Sequence, residues 1–176
     1  MKKIRPIFLL SFLIFLLSVP YEIFATNNKN VLDLERSREL LLDGYIQSDF
    51  DNHQLAIEYY TEAIRLNPNN FYAFLNRAFS RHQIKDNSGA WDDLNRALEI
   101  NPNHGIASYN RAIVNWKLGH QLSSIKDYSR AINKNIELKN AYAIRGILKS
   151  NIGDAEGACS CLLYTSDAAD EGLGVD

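Results

Sequence analysis

Ala63-Ile64-Arg65-Leu66-Asn67-Pro68-Asn69-Asn70 and Ala97-Leu98-Glu99-Ile100-Asn101-Pro102-Asn103-His104 decide the fold, because the second run repeats the first 34 residues later. Pro68 and Pro102 are the only prolines after residue 20. An asparagine before proline is driven out of the helical region, so each Asn-Pro-Asn is expected to end a helix. The same 34-residue step extends outward in both directions. It relates Gly44, Ala78, Ala112 and Gly146, then Ala56, Ala90, Ser124 and Ala158. It also relates Tyr60, Leu94 and Tyr128, and Ala63, Ala97 and Ala131. A period of this length marks one supersecondary unit used several times. The copies are 37–70, 71–104, 105–138 and a partial one over 139–160.

Each copy divides into two stretches with apolar residues at helical spacing, such as Leu55, Ile57, Tyr60, Ala63, Ile64 and Leu66. Small side chains on both helices let two antiparallel backbones approach closely, with Tyr60, Leu94 and Tyr128 filling the adjoining space. Asn52 and Asn87 are expected to cap second helices, and Gly119 and Gly153 to supply left-handed stops after first helices. Arg77 and Arg111 precede the small residue of their first helices, while Asp93 and Asp127 precede Leu94 and Tyr128. The first copy lacks both charges, having Asp43 and Tyr59, which predicts intra-repeat Arg77–Asp93 and Arg111–Asp127 ion pairs of structural purpose. In the fourth copy Arg145 faces Cys161 where an aspartate is expected.

This pattern resembles the tetratricopeptide repeat (TPR) over residues 37–160. The resemblance implies an all-α fold, an α-solenoid of antiparallel helix pairs wound into a right-handed superhelix, with first helices lining a concave groove. It places Tyr72, Leu75, Asn76, Phe79, His82 and Gln83 on the inner face of the second copy. Ile106, Tyr109, Asn110, Ile113, Trp116 and Lys117 take the same places in the third. Flanking contributions come from Leu41, Tyr45, Ser48 and Asp49 on one side and Asn140, Ala143, Ile147 and Asn151 on the other. The amides Asn76 and Asn110 suit the backbone of an extended ligand, and Phe79, Tyr109 and Trp116 offer rigid apolar area. The alternative for each aromatic is packing against the next repeat. The family's chaperone-type carboxylate clamp does not carry over, since its basic and asparagine positions hold Leu41, Tyr45 and Ile106, with only Asn76 fitting.

The ends read differently. In residues 1–25, Lys2, Lys3 and Arg5 precede the apolar run 7–19, then come Pro20 and a small residue at Ala25. That is the layout of an export signal cut after Ala25, followed by a linker over 26–36; an uncleaved membrane anchor is the rival. The run Cys161-Leu-Leu-Tyr-Thr-Ser-Asp-Ala-Ala-Asp-Glu171 abandons the repeat and looks like the in-frame translation of a transposase-type sequencing adapter. On that reading 161–176 is an artefactual tail, and the natural chain continues past Ser160.

The whole chain carries a formal charge of -2, but residues 26–160 hold 16 basic and 16 acidic residues, so nothing points to nucleic acid. There is no His-Glu-x-x-His, phosphate-binding glycine loop or nucleophile elbow, and no catalytic, cofactor or metal site is expected. His53, His82, His104 and His120 lack ligand spacing, Cys159 reads as a small packing residue, and Glu58 and Glu62 as a solvated helix face. The expected function is a non-enzymatic protein–protein interaction scaffold, exported from the cytoplasm, with a peptide or protein segment as partner. Rivals are a membrane-anchored assembly factor and a targeting module for an enzyme encoded beyond Ser160. Self-association through the truncated last copy is a further expectation.

Overall fold

The computed structural model describes the backbone of residues 21–135 and 138–170, with side chains over 28–135 and 139–163. The charged start and apolar run of the expected signal therefore lie outside the described residues. The chain forms α1 (Tyr21–Asp49), α2 (His53–Leu66), α3 (Phe71–Gln83) and α4 (Asn87–Ile100). It continues as α5 (Gly105–Lys117), α6 (Gln121–Ile132), α7 (Leu138–Asn151) and α8 (Ala155–Asp170), with no strand among the described residues. Residues 26–36, expected as a linker, continue within α1. That helix is fixed at Ser37, a fully buried residue whose hydroxyl donates to the Ala63 carbonyl (2.8 Å) and accepts from Asn70 Nδ2 (3.0 Å).

The repeated small residues do what their spacing predicts. Ala56, Ala78, Ala90, Ala112 and Ser124 are buried, as are Tyr60, Leu94 and Tyr128 beside them. Ser124 Oγ donates to the Ala112 carbonyl at 2.7 Å, a direct measure of how closely α5 and α6 approach. At Gly44 a Cβ would lie 2.6 Å from the Tyr60 ring, so only glycine lets α1 close on α2. The core is a chain of clusters crossing from copy to copy, not one centre. Leu40, Ala63 and Ala73 join the first two copies. Phe74, Leu94, Leu98 and Val114 join the next, and Ala112, Tyr128, Ala141 and Leu148 the last. Each pair thus buries its apolar surface against its neighbours.

The helix ends follow the sequence in part. Asn67 and Asn101 leave the helical region (φ -134° and -132°), with their N–H groups on the Ala63 and Ala97 carbonyls. Gly119 and Gly153 adopt φ +80° and +84°, and the equivalent Asp51 and Lys85 are also left-handed, at +59° and +69°. The expected caps are corrected. Asp86, not Asn87, caps α4 by accepting from Gly89 N–H (2.9 Å). Asn52 makes no capping bond and donates instead to Gln47 Oε1 (3.1 Å). Cys159 is exposed, not packed, while Cys161 is buried.

Candidate functional site

A ladder of arginines sets how each first helix sits on the helices around it. Arg77 donates from Nε and Nη2 to both Asp93 oxygens, at 2.9 and 2.6 Å. Arg111 grips Asp127 in the same way, at 2.7 Å through each bond. Both aspartates are buried, and each recruits further donors: Arg81 to Asp93 (2.8 Å), and Arg130 and Asn115 to Asp127 (2.9 and 3.0 Å). The remaining Nη1 of each arginine reaches backward one copy. Arg77 meets Thr61 Oγ1 (3.0 Å), Arg111 meets Asn95 Oδ1 (2.9 Å) and Arg145 meets Ser129 Oγ (3.0 Å). In the fourth copy Arg145 Nε meets Cys161 Sγ, at 3.3 Å, in the aspartate's place. The arginine therefore ties three successive helices, each contact spanning 16 residues.

With the helices held so, the first ones form an inner layer: beyond sequence neighbours, α1 packs on α3 and α3 on α5. Two adjoining cavities open along this layer. The first, about 420 Å³, lies between α1 and α3, with Tyr45, Ser48 and Asp49 on one wall and Asn76, Phe79 and Gln83 on the other. Tyr60 closes it from behind, and Asp51 and His53 come from the intervening turn and α2. The second, about 330 Å³, lies between α3 and α5, where Phe79, His82 and Gln83 face Tyr109, Asn110 and Ile113. Phe79 and Gln83 belong to both.

Of the expected groove residues, Asn76, Phe79, His82, Tyr109, Asn110 and Ile113 are thus brought together. Tyr72, Trp116 and Lys117 lie outside both cavities. Tyr72 sets its ring edgewise to Phe71 at 5.1 Å, and Lys117 Nζ lies 5.2 Å from the Trp116 ring centre. Leu75 is a correction: it is buried in the core cluster with Phe74 and Leu94. Tyr109 serves both readings, since it lines the second cavity and meets Tyr128 edge-on at 5.7 Å.

The side chains differ in how free they are. His82 Nδ1 lies 2.8 Å from Asn87 Oδ1, so Asn87 steadies a groove residue instead of capping α4. Burial pushes the Tyr60 hydroxyl up to about 12, leaving it a neutral donor, and raises that of Tyr128 as well. Tyr128 Oη is fully buried and has no partner among the described residues. Asn76 and Asn110, one repeat apart, are half-buried, and neither amide is tied to another described residue. Each retains its donors and acceptor for a ligand. Sequence reasoning missed Asp51, His53 and the floor residues Tyr60 and Leu94, the last two because their spacing had already assigned them to packing.

No set of three or more His, Cys, Asp or Glu that could hold a metal ion converges among the described residues. None of the described helices is long and apolar enough to cross a membrane.

Comparison with known proteins agrees with the architecture. The crystal structure of MamA superposes with a TM-score of 0.73 at 20% identity, over 80% of this chain and 82% of that one. The fold is a tetratricopeptide-repeat solenoid. MamA 41-end from Desulfovibrio magneticus RS-1 gives a TM-score of 0.71 at 16% identity, covering 79% of this chain and 78% of that one. The first TPR of Spaghetti (RPAP3), bound to the HSP90 peptide SRMEEVD, gives 0.63 at 21% identity, covering 68% and 98%. At these identities the likeness is one of fold. The tetratricopeptide repeat profile matches residues 44–70, which fall within the first copy of the solenoid. No curated protein matches the chain.

Proposed function

We propose that this solenoid is a protein-interaction scaffold that holds an extended segment of another protein along its inner face. The observation that carries the reading is the pair of adjoining cavities, each presenting an asparagine, one repeat from the other, that no other described residue ties. An extended backbone needs donors and acceptors at regular intervals, and pockets beside them for its side chains. The Spaghetti domain, of the same fold, holds a peptide of HSP90, which supports a peptide as the class of ligand. The test is affinity selection of displayed heptapeptides on the full chain. Asn76→Ala/Asn110→Ala should weaken the selected peptides about ten-fold or more, while an outer-face variant such as Leu122→Ala leaves them unchanged.

The scaffold works outside the cytoplasm on this reading, with residues 1–25 removed as an export signal. The support is the order of Lys2, Lys3 and Arg5, the apolar run 7–19 and Ala25. N-terminal sequencing of protein recovered from its source cells should begin at Thr26; a start at Met1 in a membrane fraction establishes the anchored form. The adapter-like reading of 161–176 is supported by Cys161, which breaks the arginine–aspartate ladder at its first residue. Reading the source gene past the Ser160 codon tests it directly.

A further inference from the structure

The two cavities of the inner face differ in charge. The one between α3 and α5 has apolar walls from Phe79, Leu94, Tyr109, Ile113 and Val114, and among the described residues His82 is its only titratable group besides Tyr109. The one between α1 and α3 carries Asp49 and Asp51 and, among the described residues, no lysine or arginine, beside the aromatic side chains Tyr45, Tyr60 and Phe79. Asp49 is also the last residue of α1, where the carbonyl dipoles of the helix add to the negative potential. His53 lies beside Asp51. Its Nε2 lies 3.7 Å from an Asp51 carboxylate that is almost wholly exposed, and its Nδ1 lies 3.5 Å from Ser48 Oγ.

Carboxylates beside aromatic surface favour a cation twice over, through Coulomb attraction and through the ring quadrupole. The same surroundings repel a carboxylate. We infer that the α1–α3 cavity takes a lysine or arginine side chain of the bound segment and the α3–α5 cavity takes an apolar side chain near it. This rests on the groove reading given above and adds the ligand's chemistry to it: a basic and apolar segment, not an acidic tail.

The experiment uses the full chain and capped heptapeptides selected on it, amidated so that no free carboxylate is present. Each selected peptide is remade with its basic residue replaced by glutamine. Affinities are then measured for the unaltered protein, Asp49→Asn/Asp51→Asn and Asn76→Ala/Asn110→Ala, with circular dichroism melts showing that each variant is folded. Asparagine tolerates the left-handed backbone at residue 51 (φ +59°), so the isosteric variant keeps the turn. The inference expects lysine or arginine in the selected set. It expects Asp49→Asn/Asp51→Asn to weaken those peptides about five-fold at low salt, less at high salt, and to leave their glutamine versions unchanged. Selected peptides that lack a basic residue, or that lose equal affinity with and without it, overturn the inference. If those peptides still depend on Asn76 and Asn110, the groove reading stands without it. A selection yielding no peptide sensitive to Asn76→Ala/Asn110→Ala overturns both.

Discussion

Arg77 holds Asp93 through two parallel bonds, 2.9 Å from Nε to Oδ2 and 2.6 Å from Nη2 to Oδ1, with the carboxylate only 3% exposed. Such a fork fixes distance and angle together, so it registers α3 on α4 as well as stabilising the pair. Breaking a buried pair leaves an uncompensated charge, and Asp93→Ala takes the carboxylate from Arg77 and from Arg81, which keeps Asp86 at 3.7 Å and the Gly89 carbonyl. It should cost about 3 kcal/mol or more. Arg77→Ala should cost less, because Arg81 still reaches Asp93 at 2.8 Å. Urea unfolding of both single variants and the double one should give a coupling energy of roughly 1–3 kcal/mol. Additive losses would mean the pair contributes nothing as a pair.

The fourth rung makes the converse prediction. Arg145 stacks over Tyr142 at 5.0 Å and donates to Ser129, but its Nε faces a sulfur at 3.3 Å. Sulfur is a weak acceptor, and the equivalent residues are Asp93 and Asp127. Cys161→Asp should therefore stabilise the protein by about 1 kcal/mol, since a hydrogen bond to a charged group is worth roughly 1.5–3 kcal/mol before desolvation is subtracted. A midpoint that stays the same or falls would show that the ladder is not interchangeable between copies.

His104 gives a pH signature. It caps α5 by accepting the Ala107 N–H on Nδ1 (3.3 Å) and packs 4.5 Å from the Phe71 ring centre. Burial lowers its proton affinity below the ordinary 6.5, and a positive charge at a helix N-terminus is unfavourable as well. The sign follows from linkage. The unfolded chain takes up the proton first, so this contribution to stability is complete above about pH 6.5 and is lost as pH falls through the depressed folded value. His104→Asn should keep the cap, as Asn70 does for α3 by accepting from Ala73 N–H (3.1 Å), and should remove this part of the pH dependence. The wild-type and variant stability curves, measured by urea unfolding from pH 8 to 5, should diverge below about pH 6.5. Parallel curves would count against the assignment.

The architecture was legible because it is written in side-chain size at a fixed period, and only small residues fit where two helices touch. The ion pairs were legible because their charges appear and vanish together. The third contact of the ladder was hidden, since Thr61, Asn95 and Ser129 share polarity but not type. Capping misled for a local reason: Asp86 and Asn87 are adjacent and equally able, and only the backbone path chooses between them. Leu75 was misplaced because neighbours on a helix are separated by about 100°, enough to take Leu75 into the core while Asn76 meets the groove. Residues 26–36 read as a linker because Asn27, Asn28, Lys29 and Asn30 leave them without a continuous apolar stripe, yet they extend α1.

The central claim is that a protein segment lies along the inner face, and a chain of this size lets each backbone amide report on it. The deciding measurement is a two-dimensional NMR titration of the isotopically labelled full chain with a selected heptapeptide. The largest shifts should fall on Asn76, Phe79, Gln83, Asn110 and Ile113, lining the two cavities, and leave Asp92, Leu122 and Lys126 on the second helices unmoved. Shifts concentrated on those second-helix residues, with the cavity residues unchanged, would contradict it.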